Sequence, residues 1–253
     1  MKKILAKFGN VIYSAAALAL IVLAWFVTAT AVGAEIIVPS VKVTFAEFFS
    51  LFGSGLFYQA VANTLLRTLV TFALSLAAAV ILSVISVAVP VFGKLFMPVM
   101  RFLRAVPTIS VILLIIVWLD AKVAPVLVTF LIVFPIMYSS LYDAITGING
   151  DVLKMCKIYK VGRKDMIFSL YVPSVLPTFF DTAKSTVSLT VKVIISAEVL
   201  AQTKRSIGIM MQINRAYLET AKLLAWTIVA VIISYLLEVV VDLIRKAVIR
   251  WQK

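Results

Sequence analysis

An all-α, polytopic integral membrane protein of about six transmembrane helices is the fold class this sequence predicts, and three observations predict it. Hydrophobic residues make up 63% of the 253 residues, and the mean hydropathy is +1.13, well above the apolar share of a soluble domain. Uncharged runs at Phe8–Ala34, Thr68–Gly93 and Val123–Tyr142 each approach or exceed the ~20 residues that cross a bilayer as a helix. The runs are continuous, whereas the strands of a membrane barrel alternate apolar and polar residues.

The elements follow in order. The first span, about 10–33, comes after Met1-Lys2-Lys3 and has small residues near Ala34, as a secretory leader would. Its apolar run is longer than the ~7–15 residues of a leader core, so it is expected to be retained. The next stretch, Glu35 to Gln59, is expected on the external side, and within it Thr44–Phe57 is amphipathic enough for a short interfacial helix. Further spans are expected at about 62–90, 97–119, 123–143, 172–200 and 221–244. Pro107 and Pro135 can break or kink two of them. Arg101 and Arg104 lie a turn apart and can snorkel to the membrane interface. With no internal repeat, residues 1–253 read as one transmembrane domain with its core at 58–244.

Charge sets the orientation. With the N-terminus inside, thirteen Lys and Arg fall in cytoplasmic segments and six in the opposite loops. The positive-inside rule therefore predicts cytoplasmic N- and C-termini. The net charge of +13 is mainly this signal, and no soluble basic face exists for a nucleic acid. Histidine is absent and Cys156 is the sole cysteine, which excludes an intrachain disulfide, a Cys/His zinc site and a histidine base. No Gly-x4-Gly-Lys-Ser/Thr phosphate loop occurs, so the chain is not read as an ATPase. No catalytic constellation, metal-ligand set or cofactor is expected.

The loop at 146–171 interrupts this hydrophobic pattern. From Asp151 to Asp165 it is basic and helix-forming, with Lys154, Lys157, Lys160 and Lys164 around a ridge of Val152, Met155, Ile158 and Tyr159 at three- and four-residue steps. Asp151 stands near the helix start, where a carboxylate offsets the macrodipole, and Gly162 is the expected stop. Such a helix suits a groove on a cytoplasmic partner, and it also suits an anionic lipid surface.

The fifth span carries the other polar pattern. At 100° per residue, Asp181, Lys184, Ser185, Ser188, Lys192 and Ser196 share about a third of the circumference. A central Lys or Asp costs roughly 2.5–3.5 kcal/mol on insertion scales, so this stripe should face water or a polar partner. Asp181 and Lys184 have the spacing of a local ion pair. Lys192 has no acid three or four positions away, and Glu198 lies off the stripe, as a gate or a loop anchor. On the last span, Asp242 and Lys246 are spaced as a terminal ion pair, near Glu238.

Several blocks resemble permease subunits of ABC importers, specifically the nitrate/sulfonate/taurine class. They are Ser54-Gly55-Leu56 with Ala62-Asn63-Thr64-Leu65-Leu66-Arg67, then Leu103-Arg104-Ala105-Val106-Pro107-Thr108, Phe134-Pro135-Ile136 and Ser196-Ala197-Glu198. The family's coupling motif runs Glu-Ala-Ala, three residues, Gly, nine residues, Ile-x-Leu-Pro. Anchored on Pro173, it places Lys154-Met155-Cys156 at Glu-Ala-Ala, Lys160 at the glycine, and Leu170, Val172 and Pro173 at the end. The spacing is kept where the letters are not.

The resemblance implies a type I ABC importer permease in the bacterial plasma (inner) membrane. It implies ATPase coupling through Asp151, Lys154, Met155, Cys156, Lys157, Ile158, Tyr159, Lys160 and Gly162. It also implies a translocation path along Asp181, Lys184, Ser185, Ser188, Lys192, Ser196 and Glu198. The implied partners are cytoplasmic ABC ATP-binding subunits, an extracytoplasmic solute-binding protein, a second permease copy and membrane lipid. The implied cargo is a small anion such as nitrate, a sulfonate or taurine, or a related metabolite. A stand-alone secondary transporter or channel is the alternative.

Overall fold

Regular structure is helical throughout residues 2–249, which are those the computed structural model describes. The helices are α1 (Lys2–Val32), α2 (Val41–Leu51), α3 (Gly55–Ala88), α4 (Pro90–Ala105), α5 (Thr108–Trp118) and α6 (Ala124–Thr146). They continue with α7 (Gly150–Ile158), α8 (Arg163–Met166), a π-helical turn at Ile167–Tyr171, α9 (Val172–Ala201), α10 (Ile207–Ala216) and α11 (Thr220–Val248). Four of these, α1, α3, α6 and α11, are long and apolar enough to cross a membrane, and a bent α4–α5 pair makes a fifth candidate. The 30-residue α9 has the length, but its charged residues set it apart.

The chain forms two compact units, drawn from residues 1–58 with 210–229 and from 59–209 with 230–253. In the first, the Ser40 side chain caps α2 by accepting from the Val43 N–H at 3.3 Å. The Trp25 indole donates to the Pro39 carbonyl at 3.0 Å, and the Thr220 hydroxyl bonds the Ile36 carbonyl. The helix expected over Thr44–Phe57 instead starts at Val41 and stops at Leu51. The chain turns at 52–54, and Phe57 belongs to α3, where its ring lies 5.6 Å from that of Trp226. No residue of Ala15–Val32 in the first span is fully buried, and Trp25 is half-buried.

The second unit is built around α6, which packs most extensively against α9. Val133, Phe134, Met137 and Tyr138 of α6 meet Ala79 of α3 and Met100 of α4. Ile112 and Ile115 of α5 meet Ala124 and Val128 of α6 and Val193 and Ala197 of α9. The buried face of α3 is a ladder of small residues: Ala60, Thr64, Thr68, Thr71, Ser75, Ala79, Ser83 and Ser86. In lipid, where apolar surface gains little from leaving its surroundings, such side chains let helix backbones pack closely. Most of the hydroxyls bond carbonyls of their own helix, and Ser86 also accepts from the Tyr138 hydroxyl at 2.7 Å. After the turn at Val89, Gly93 lies against this ladder. A Cβ there would come 2.7 Å from the Ser86 carbonyl oxygen.

The expected span 97–119 is not one helix. Its two halves meet at 96°, with Val106 extended at φ −70°, ψ 131° before Pro107. A residue preceding proline is pushed out of the α region by the pyrrolidine ring, and Pro107 cannot donate back to α4. Pro135, by contrast, sits within an unbroken α6. The π-helical turn before α9 was not expected either, since the apolar run at 166–180 has no feature that separates a π turn from an α turn.

Candidate functional site

Helix α7 presents the ridge read from the sequence. Met155, Ile158 and Tyr159 are 54%, 76% and 75% exposed, Val152 and Cys156 are half-buried, and Lys154 and Lys157 are exposed. Asn149 caps the helix by accepting from the Asp151 N–H at 2.8 Å. Asp151 pairs with Lys154 at 3.0 Å in the open, a contact worth little to stability.

The helix stops earlier than expected, at Ile158 rather than at Gly162. Lys160 takes the left-handed conformation (φ +52°). The Lys160 N–H donates to the Lys157 carbonyl at 3.1 Å and the Val161 N–H to the Cys156 carbonyl at 2.9 Å. This double closure is the Schellman stop, which favours glycine because it needs positive φ. Lys160 is the residue aligned with the family glycine. Gly162 is extended and opens α8.

Along α9 the polar stripe divides. Asp181, Ser185, Lys192 and Ser196 are exposed, Lys184 is half-buried and Ser188 lies at the buried edge. Asp181 pairs not with Lys184 but with Arg245 of α11, at 2.5 Å. The neighbouring helix places a guanidinium closer than the local lysine. Lys192 makes no ion pair among the described residues, and its carbonyl accepts from the Ser196 hydroxyl at 2.9 Å. The Asp242–Lys246 pair forms as spaced, at 2.6 Å.

Glu198 departs from the stripe altogether. Its side chain is fully buried. One oxygen, Oε1, accepts from the Arg67 guanidinium at 2.8 Å and from the Thr64 hydroxyl at 3.1 Å. The other, Oε2, lies 2.9 Å from the same hydroxyl and 3.3 Å from the Gly208 N–H. Thr64 Oγ1 in turn accepts from the Ile207 N–H at 3.0 Å. The carboxylate thus sits against the first turn of α10, where exposed N–H groups and the helix dipole favour negative charge. Nearby, Asn63 donates to the Arg205 carbonyl at 3.0 Å, and Thr203 to the Ala121 carbonyl at 2.8 Å. Glu198 is an anchor joining α3, α9 and α10. Reading α9 alone does not name Thr64, Arg67 or Gly208 as its partners. The one sequence signal was an acid off its helix's polar stripe.

A multi-pass helical protein with a solvent-facing basic helix between spans and a polar face along a buried helix is a membrane-embedded subunit built to work with others. Residues 86–253 match the family described as the inner membrane component of binding-protein-dependent transport systems, and the chain belongs to that family. It is the permease of an ABC importer, a multi-pass inner-membrane protein, and the ATPase is a separate subunit. Membership implies ATPase and binding-protein partners, and it sets aside the stand-alone transporter or channel.

The chain is 26% identical over 218 residues to the riboflavin transport system permease protein RibX of Chloroflexus aurantiacus, covering 85% of this chain and 81% of that one. It is 21% identical to the putative aliphatic sulfonates transport permease protein SsuC of Bacillus subtilis, over 61% of this chain and 56% of that one. It has the same identity and coverage with the taurine transport system permease protein TauC of Escherichia coli. In fold it is similar to a chain of the MetNI methionine ABC transporter in inward-facing conformations. There the TM-score is 0.59 at 14% identity, covering 76% of this chain and 95% of that one.

Proposed function

We propose that the permease couples to its ATPase through residues 151–164 of a cytoplasmic loop at 146–171, with both termini cytoplasmic. It works as a dimer of two copies, residues 1–253 forming one transport domain with its core at 58–244. The carrying observation is the outward apolar ridge of Met155, Ile158 and Tyr159 within a basic segment. Two exposed apolar side chains on a nine-residue helix, with Tyr159 at its C-terminal cap, are a groove-filling anchor set. Closure of the ATPases would tilt α7 and, through the π-helical turn, move α9, so that the path alternates between the two sides. The binding protein engages the opposite surface, at 35–59 and 202–221.

The coupling claim is tested in the purified complex. Truncating a buried anchor commonly costs about 2 kcal/mol or more, roughly thirtyfold in affinity. Tyr159→Ala and Met155→Asp should each lower ATPase recovery and solute-stimulated hydrolysis by about that factor. Cys156 should react with a thiol reagent from the cytoplasmic side and be protected when the ATPase is bound. Full assembly and stimulation in both variants would refute the docking surface, and labelling only from outside would refute the orientation.

The translocation path is assigned to the α9 face of Asp181, Lys184, Ser185, Ser188, Lys192 and Ser196, with Glu198 bracing it from behind. Lys192, exposed and without an acidic partner among the described residues, supports a small anionic cargo, and two relatives are named for sulfonates and taurine. Lys192→Glu should then cut alkanesulfonate uptake severely and Lys192→Gln less so, with assembly intact. Normal uptake by an assembled Lys192→Glu variant would remove Lys192 from the path. Riboflavin uptake instead of sulfonate uptake, as the first relative's name suggests, would overturn the anionic cargo.

A further inference from the structure

An apolar cavity of about 510 Å³ lies between the ends of α3 and α6, the π-helical turn and the start of α9. Its wall runs from Val80 to Ala88 on α3 and from Ile167 to Phe179 on the other side. At 1.5 Å per residue these stretches are roughly 12 and 18 Å long, so the cavity extends along the helices. Ser83 and Tyr171 bring the only side-chain oxygens to the lining, and the Ser83 hydroxyl already bonds the Val80 carbonyl at 3.0 Å. A cargo carrying polar groups would find almost nothing to bond there, whereas a hydrocarbon chain loses nothing on entering from the bilayer.

One end of this cavity is chemically different. Ala88, Ile145 and Ile167 line it at the limits of their helices, so that end lies where the spans give way to the loop. One turn before Ile167 stand Arg163 and Lys164, both exposed and in no ion pair among the described residues, with exposed Lys160 just upstream. Basic residues at a membrane surface attract anionic headgroups. The arrangement is an apolar slot roughly as long as one bilayer leaflet is thick, with cations beside the end that meets the loop.

We propose that this slot binds one acyl chain of an anionic phospholipid, with Arg163 and Lys164 holding the headgroup phosphate. The bound chain lies against Ile167 and Tyr171, which belong to the π-helical turn between α8 and α9, so lipid occupancy supports the segment that joins α7 to the polar helix. The site rests on the membrane setting of the chain; Arg163 and Lys164 end the segment assigned to ATPase docking, and the permease is titrated without its ATPase, so the two readings fail separately.

The test is native mass spectrometry of the full-length permease titrated with phosphatidylglycerol and, separately, phosphatidylcholine. Wild type should retain phosphatidylglycerol at least threefold better than phosphatidylcholine. Val84→Trp, which fills the slot, should lower retention of both lipids. Arg163→Gln with Lys164→Gln, both on the surface, should abolish the headgroup preference and leave chain binding. Ala88→Met fills less of the slot and serves if Val84→Trp does not fold, while Val231→Trp on the exposed face of α11 is the control. Unchanged retention in the filled variants, or equal retention of both lipids by wild type, would overturn the site. So would an equal loss in the Val231→Trp control.

Discussion

Gly208→Ala should sharply reduce the yield of folded permease. A Cβ at this position would lie 2.4 Å from the Glu198 Cβ, 2.7 Å from the Val199 nitrogen and 2.8 Å from the Ile195 carbonyl oxygen. Two of those atoms are backbone, so no rotamer change relieves the clash, and α10 must move off α9. Overpacking of this kind costs about 1–3 kcal/mol, and more when backbone has to yield. Moving α10 also breaks the Gly208 and Ile207 N–H bonds that help hold Glu198 and Thr64. Thermal unfolding of the detergent-solubilised protein measures the effect, with Gly55→Ala as control because nothing lies within 4 Å of that site. Equal unfolding temperatures in the two variants would refute the close approach of α10 to α9.

Glu198→Ala is expected to be comparably severe, for an electrostatic reason. Removing one partner of a buried pair costs about 3–5 kcal/mol, because the other partner keeps its desolvation without its bond. Here the deletion strands the largely buried Arg67 guanidinium, the Thr64 hydroxyl and the Gly208 N–H together. Glu198→Gln, which keeps an acceptor oxygen, should lose less. Arg67→Met combined with Glu198→Ala should recover part of the loss, since no unpaired charge remains. A Glu198→Ala permease that folds as wild type but fails to transport would reverse the assignment and make Glu198 a pathway residue.

Much of the fold was legible because lipid imposes it: a long uncharged run in this setting has little choice but to become a helix. The spans at α3, α6 and α11 and the basic helix at α7 follow from composition and period alone. Boundaries were less legible where a local backbone rule decided them. Pro107 turned one expected span into two helices at 96°, and α7 ends at Ile158, closed by a left-handed Lys160, four residues before the glycine expected as its stop. The exposed ridge and most of the α9 stripe emerged as read, since exposure along one helix follows from its 3.6-residue period.

By itself the sequence determined a multi-pass helical membrane protein and the exposed faces of α7 and α9, because hydropathy and helical period are properties of neighbours along the chain, while the permease class came through the resemblance of its motifs. What only the tertiary structure decided were the pairings between helices: Asp181 with Arg245, Glu198 with Thr64, Arg67 and Gly208, and Ser86 with Tyr138. Apart from Gly208, ten positions from Glu198, the partners that meet in these contacts lie 52 to 134 positions apart. A charged side chain at membrane depth must find a partner or water, but which partner depends on how helices cross, and periodicity within one helix carries no record of that.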